Sequence, residues 1–134
     1  MPYACGMRFL AHVISGSGVA RQQNVPTLNL ALNDVPESLE QGIYACRVRF
    51  EQESPSKPDA RWAGAVMHHG PRFVHRLPVS CEVHLIERMP PETPAVLNVE
   101  IVQRLRNVQD FNTPQELQDA IEADIAAARA ILGA

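Results

Sequence analysis

Two polar residues in the first quarter of the chain are spaced to bind a cation beside phosphate. Thr27 and Asn29 follow Pro26 in an extended stretch, and side chains two residues apart on an extended chain point to the same face. Their hydroxyl and amide oxygens are hard ligands of the kind that Mg²⁺ accepts together with phosphate oxygens and water. The same residues could instead make turn hydrogen bonds at the start of a strand. Both interpretations stay open on this motif alone.

A second candidate is Glu82, an acidic residue in a run, 79–86, that otherwise alternates like a strand. If its carboxylate lines a site, it can accept the proton of a hydroxyl that attacks a phosphate. If it points into water, it is an ordinary solvated strand residue. His84 shares its face and is interpreted as a surface or supporting residue rather than a metal ligand. The remaining histidines show no metal-ligand spacing and are interpreted in the same way: His12, His68, His69 and His75.

A small-residue segment that contains Gly16, Ser17 and Gly18 and ends at Arg21 precedes the first motif. Glycines let backbone amides approach an anion, and an arginine adds positive charge. The segment lacks the Gly-Lys-Ser/Thr of a Walker A loop, and no helical pattern follows it as in a dinucleotide-binding fingerprint. It is a candidate phosphate loop with a weak signal of its own.

Short strands must position these residues. Alternating apolar residues separated by proline-rich and glycine-rich breaks predict strands over 7–15, 25–30, 43–50, 62–68, 79–86 and 96–105, with a break at 69–72. Short strands with little helix between them favour an antiparallel barrel, because parallel pairs need long crossovers.

The end of the chain has helical periodicity instead. Thr113 is a good N-cap, Pro114 suits the first helical position, and Glu116 completes a capping box. One apolar face follows, and it predicts a helix that packs on the strands: Leu117, Ile121, Ile125, Ala128 and Leu132.

The bulk properties exclude several classes of protein. The length of 134 residues predicts a single domain over 1–134, without internal repeats. A net charge of -3 provides no general field to attract nucleic acid or an anionic membrane. The three cysteines are odd in number and form no Cys-x-x-Cys pair, so neither a disulfide framework nor a zinc site is expected, and the cytoplasm is the expected compartment. There is no signal-peptide pattern, and no apolar run approaches the ~20 residues of a membrane span.

Taken in order, these segments resemble the riboflavin kinase family. The stretch from Gly16 to Asn29 is similar to the family's glycine-containing loop and its Pro-Thr-Ala-Asn motif. Later segments resemble further family motifs in the family's order: Gly-Ile-Tyr-Ala at 42–45, Cys-Glu-Val-His-Leu at 81–85, Val-Glu-Ile at 99–101, Leu-Arg at 105–106 and the helical stretch 121–129. The similarity runs from about residue 11 to about residue 130.

The resemblance implies a six-stranded antiparallel Greek-key β-barrel with a C-terminal helix. It also implies a magnesium-dependent riboflavin kinase, which transfers the γ-phosphoryl group of ATP to the ribityl 5′-hydroxyl of riboflavin and yields FMN and ADP. Zn²⁺ and Mn²⁺ are alternative metals. Riboflavin and ATP are then the partners, and a monomer is expected.

The resemblance also assigns roles to residues of this chain. Thr27 and Asn29 would bind the metal, and Glu82 would be the base that receives the proton of the 5′-hydroxyl. Arg106 and Phe111 would lie at the flavin. The nucleotide would be bound by the loop and the first motif: Gly16, Ser17, Gly18, Arg21, Pro26 and Thr27.

Departures from the family pattern keep two alternatives open. Ala20 and Asn24 replace family glycines, and Pro-Glu-Thr-Pro at 91–94 replaces an Asp-Leu-Tyr-Gly hairpin. One alternative is a non-catalytic relative that binds flavin or a nucleotide for sensing or storage, and another is a barrel used as an interaction module. Bacterial family members often carry an additional FMN-adenylylating domain, whose motif these residues lack, so FAD synthesis is not predicted.

Overall fold

The computed structural model describes residues 6–14, 27–50, 62–72, 77–86 and 95–133, and for Arg72, Leu77 and Pro78 only the backbone. Within these ranges there are six strands and one α-helix: β1 (Arg8–Ile14), β2 (Thr27–Leu30), β3 (Gly42–Phe50), β4 (Ala63–Arg72), β5 (Leu77–Leu85), β6 (Val96–Arg106) and α1 (Pro114–Leu132). A short 3-10 turn, Leu32–Asp34, follows β2.

The strands close into a barrel in the order β1-β2-β5-β4-β3-β6, and every neighbouring pair is antiparallel. Strands β3, β4 and β5 are sequential neighbours, while β6 returns to lie beside β3, which is the Greek-key arrangement. The predicted six-stranded antiparallel barrel with one C-terminal helix is confirmed.

The interior of the barrel is filled by alternate side chains from every strand, because residues two apart on a strand share a face. Removal of these apolar side chains from water is the main stabilising contribution. The buried interior set is Ala11, Leu28, Leu30, Tyr44, Cys46, Val48, Ala65, Met67, Cys81, Val83, Leu85, Leu97, Val99 and Ile101. The predicted alternation of β5, with Cys81, Val83 and Leu85 on one side, is confirmed.

Strand β4 is longer than predicted. The break expected at 69–72 does not occur, since the ladder with β5 continues to Arg72 with a register shift between Gly70 and Arg72. Gly70 has φ +152, and a Cβ there would lie 2.7 Å from Val108 Cγ2. Gly70 thus permits a bulge-like irregularity in β4, after which β4 is still paired with β5.

Helix α1 covers part of the outer surface of the barrel. Its N-terminus is capped by Thr113 Oγ1, which accepts a hydrogen bond of 3.1 Å from the Glu116 amide. The Glu116 carboxylate accepts from the Asn112 amide at 2.8 Å, one residue earlier than in a standard capping box. Gly133 ends the helix in the left-handed conformation with φ 74.

The predicted apolar face of α1 is confirmed in its main part. Leu117, Ile121 and Ala128 are buried, while Ile125 and Leu132 are partly buried. Ala128 packs with an outer-surface cluster from two strands and the residue after β5: Ile43, Ala45, Val66 and Ile86. Among the described residues, no helix has the length and apolar character to span a membrane.

Candidate active site

The site begins on the outer face of strands β2 and β5. Thr27 is paired with His84, and Asn29 is paired with Glu82. Directly opposite residues of antiparallel strands share a face, and their Cα atoms lie about 4.5–5.5 Å apart. These four side chains, here called the outer-face quartet, therefore form a compact group outside the core. Strand pairing brings together the three residues predicted for metal binding and proton transfer.

Glu82 is buried, with only 3% of its surface exposed. Its Oε2 accepts a hydrogen bond of 3.1 Å from Ser80 Oγ. Its neighbour on β4 is His68, which is also buried. The alternative in which Glu82 points into water is wrong, because the outer surface of the barrel is covered at this point.

His84 is the most buried member of the quartet at 2% exposure, and its Nδ1 lies 2.8 Å from Thr27 Oγ1. Its interpretation as a surface residue is wrong, because the outer surface of the barrel is buried at His84 as it is at Glu82. It contacts Thr27, a predicted site residue, and its supporting role stays a prediction.

The other histidines differ from one another. His12 is exposed and pairs with Asp34 at 2.9 Å, so its interpretation as a surface residue is confirmed. His68 is buried, and His69 is partly buried, which lowers its pKa. The surface interpretation is wrong for these two, because β4 continues through them and is covered on both faces. His75 lies outside the described residues.

A cleft adjoins the quartet, between the barrel and α1. Its empty volume, including solvent at the open mouth, is about 430 Å³. The barrel contributes Ile43, Val66, His68, Pro71 and His84; β6 and the following segment contribute Arg106, Gln109 and Phe111; the helix contributes Leu117, Ile121 and Asp124. The cleft and the quartet share His84, so they form one continuous site.

Arg106 is held firmly in the wall of this cleft. Its Nε and Nη2 donate to the two oxygens of Asp124 at 2.9 and 2.8 Å, and its Nη1 donates to the Asn107 carbonyl at 3.1 Å. The guanidinium carbon also lies 5.7 Å from the centre of the Phe111 ring. The structure therefore places both predicted flavin residues in the cleft, with all three guanidinium nitrogens engaged.

Asp124 was missed as a site residue. The sequence did contain a signal, since a carboxylate lies on the otherwise apolar face of α1, between Ile121 and Ala128. Buried charges are normally paired, so that position called for a basic partner on the barrel. Nothing in the spacing alone identified Arg106 as that partner.

Five of the residues predicted to bind nucleotide lie outside the described residues: Gly16, Ser17, Gly18, Arg21 and Pro26. Their roles stay predictions.

Comparison with known proteins identifies the family. A flavokinase model, described as riboflavin kinase, matches residues 5–132. The chain belongs to the riboflavin kinase family. The bifunctional riboflavin kinase/FMN adenylyltransferase of Pseudomonas fluorescens is 32% identical to it over 125 residues, which cover 92% of this chain and 38% of that protein. The chain thus spans less than half the length of that curated relative.

Two solved structures share the fold of this riboflavin kinase family member. A macrolide-efflux protein from Streptococcus pneumoniae superposes with a TM-score of 0.74 at 20% identity, over 92% of this chain and 38% of that one. Riboflavin kinase from Trypanosoma brucei gives a TM-score of 0.62 at 21% identity, over 94% of this chain and 79% of that one. At these identities the two structures establish the fold.

The quartet has a donor chemistry that suits a magnesium ion of the kind implied by the family. Within the described residues, no group of three or more His, Cys, Asp or Glu side chains is placed to hold a metal. Thr27 and Asn29 instead offer two neutral oxygens, beside one buried carboxylate. Mg²⁺ binds few protein ligands and retains water or phosphate oxygens in its other positions. The residues present fit such an ion.

Proposed function

We propose that this chain is a riboflavin kinase, which transfers the γ-phosphoryl group of ATP to the ribityl 5′-hydroxyl of riboflavin. The observation that carries the proposal is the buried carboxylate of Glu82. It lies beside Thr27 and Asn29 and between His68 and His84, which both line the cleft. A carboxylate in this position has the chemistry of a base at the end of a small-molecule site.

In the proposed reaction, Glu82 receives the proton of the 5′-hydroxyl. The hydroxyl oxygen forms its bond to the γ-phosphorus as the bond to the bridging oxygen of the β-phosphate breaks, and ADP leaves. Ser80, whose hydroxyl donates to Glu82 Oε2, holds the carboxylate in one orientation. Such transfers depend on position and charge more than on covalent help from the protein.

Thr27 and Asn29 would hold a divalent cation next to the phosphates. When bound, the ion neutralises charge on the phosphate oxygens during transfer. Oxygen-only donors favour Mg²⁺ or Mn²⁺ over Zn²⁺. The backbone and arginine of the segment from Gly16 to Arg21 would add contacts to the phosphates, as the family resemblance implies.

The flavin ring would occupy the cleft under α1. Ile43, Val66 and Leu117 give it apolar walls, and Phe111 with Arg106 gives a flat surface for an aromatic ring. We expect a monomer, and we expect the reaction to take place in the cytoplasm, where the free thiols of Cys46 and Cys81 would stay reduced.

The direct test is to incubate the purified chain with riboflavin, ATP and Mg²⁺ and to separate the flavins by chromatography. The expected result is FMN together with an equal amount of ADP. Binding of riboflavin or of Mg²⁺-ATP without FMN would point instead to the non-catalytic relative. If the chain binds neither riboflavin nor Mg²⁺-ATP, the remaining alternative is a barrel used as an interaction module.

A further inference from the structure

The contact between His84 and Thr27 has two possible directions. The Nδ1 to Oγ1 distance of 2.8 Å allows either atom to donate, depending on the tautomer of the ring. If Nδ1 carries the proton, the ring uses a lone pair of the hydroxyl, and the hydroxyl hydrogen points away from the ring. If Nε2 carries the proton, Nδ1 accepts the hydroxyl hydrogen, and the lone pairs of the oxygen point away from the ring.

The surroundings of the ring hold this contact in place. His84 is paired with Thr27 on β2 at one side and with Val66 on β4 at the other. Both neighbours are β-branched residues, whose χ1 rotation is restricted. The ring is 2% exposed, and Val66 is 1% exposed. A hydrogen bond in such a covered place is stronger than one at the surface. The paired strands therefore hold the Thr27 oxygen against the His84 ring.

We propose that His84 is a positioning residue for the metal site: its Nδ1 accepts a hydrogen bond from the Thr27 hydroxyl and so directs the Thr27 lone pairs toward the cation. This inference rests on the proposed function, because it assumes that Thr27 is a ligand. A metal-bound hydroxyl is a better donor than a free one, so cation and acceptor reinforce each other on opposite sides of the same oxygen. Groups behind a ligand that orient it in this way are part of a metal site as much as the ligand itself.

The first test concerns the tautomer and does not depend on activity. Long-range ¹H–¹⁵N spectra of the full chain, without metal or nucleotide, are expected to show His84 with a proton on Nε2 and an unprotonated, hydrogen-bonded Nδ1. The chain has 5 histidines, so the signal lost in His84→Asn identifies the ring. A proton on Nδ1 would overturn the proposal, whatever the protein catalyses.

The second test measures cation affinity with Mn²⁺ and ADP as probes, by electron paramagnetic resonance. His84→Leu removes the acceptor at similar volume and is expected to weaken Mn²⁺ binding by about 10–100-fold. His84→Asn, whose amide oxygen reaches the Nδ1 position, is expected to restore most of that affinity, whereas His84→Gln, which places its amide near the Nε2 position, is not.

Controls separate the possible failures. Thermal unfolding of each variant shows whether it is folded, and Thr27→Val should abolish the difference between His84→Leu and His84→Asn, since the hydroxyl is gone. If the wild type forms FMN and His84→Leu binds Mn²⁺ as tightly as the wild type, the positioning role is refuted and the proposed function stands. If the folded wild type binds no Mn²⁺ with ADP, both the metal site and the role of His84 are refuted.

Discussion

At the scale of single residues, the site combines a carboxylate and two neutral oxygen donors on one covered patch of the barrel. Glu82 is buried at 3% exposure and accepts from Ser80, so its position is defined by a short side chain two residues away on the same strand. A base in this position would act through its location, because the proton would travel only the length of a hydrogen bond.

The first prediction follows from that role. Glu82→Gln keeps the shape of the side chain and removes the ability to accept a proton, so turnover should fall by about a hundredfold or more. Riboflavin affinity should stay close to that of the wild type. Steady-state FMN formation and quenching of flavin fluorescence measure the two quantities. Unchanged turnover would remove Glu82 from the mechanism.

The second prediction concerns the pair between Arg106 and Asp124. Asp124→Asn removes the charge from a two-point contact with little exposure, and the free energy of unfolding should fall by about 2 kcal/mol. Riboflavin binding should weaken as well, because Arg106 would lose its fixed position in the cleft wall. Denaturant unfolding and a flavin titration measure these effects.

Asp119→Asn is the matched control for that pair. Asp119 lies on the same helix but is exposed, and its contact with Gln115 survives in an asparagine. Equal unfolding free energies for the two variants would contradict a structural role of the Arg106–Asp124 pair.

Residue chemistry was predictable where spacing along one strand determines it. Thr27 with Asn29, and Glu82 with His84, share a face because strands repeat every two residues. The burial of Glu82 and His84 was not predictable, since their cover comes from parts of the chain that are distant in sequence. The pairing of Asp124 with Arg106 was not predictable for the same reason, because it depends on where α1 packs on the barrel.

At the scale of elements, α1 closes one side of the cleft as well as one side of the barrel. Leu117 and Ile121 are buried and also line the cleft, and they pack with Phe111. The helix is therefore expected to contribute to stability and to substrate binding through the same side chains.

A third prediction tests that dual role. Leu117→Ala or Ile121→Ala should lower the free energy of unfolding by about 2–5 kcal/mol, as truncations of buried aliphatic residues do. Glu122→Ala, on the exposed face of the same helix, should change it by less than about 0.5 kcal/mol. Urea unfolding followed by circular dichroism gives the values. No difference between the two faces would mean that the helix is not packed on the barrel.

Five strands and the helix were predictable to within a few residues, because alternation, capping residues and proline-rich breaks all agreed locally. Strand β4 was predicted too short, since Gly70 and Pro71 are residues that usually end a strand. The strand nevertheless continues past them to Arg72, because the partner strand β5 continues and a register shift between Gly70 and Arg72 accommodates Pro71. Tertiary pairing overrode the local preference at this one place.

At the scale of the whole molecule, the closed barrel removes thiols from water. Burial, and then the neighbouring charge of Glu82, raises the pKa of Cys81 to about 12. The pKa of Cys46 is raised as well, first by burial and then by Cys81. In the folded chain both thiols thus stay protonated at a pH just above 9.0, at which an exposed thiol would already be ionised.

The fourth prediction is that neither thiol reacts with a thiol reagent at about pH 8 until the chain unfolds, because the thiolate is the reactive form. A Cys5→Ser chain leaves only these two cysteines for the assay. Since the folded pKa values exceed the ordinary value of 9.0, the contribution of these two thiols to stability should be constant below about pH 9 and decrease above it. Rapid labelling of the native chain would contradict the burial of both residues.

Closure of the barrel has a consequence for the way the chain is made. Strand β1 needs β6 as a partner, and the bond between Arg8 and Glu100 joins residues 92 positions apart. At translation rates of about 5–20 residues per second, β1 waits roughly 5–20 s before its partner has been synthesised. During that time its edge is open to pairing with other chains. This protein should therefore depend on chaperones during translation more than its modest size indicates.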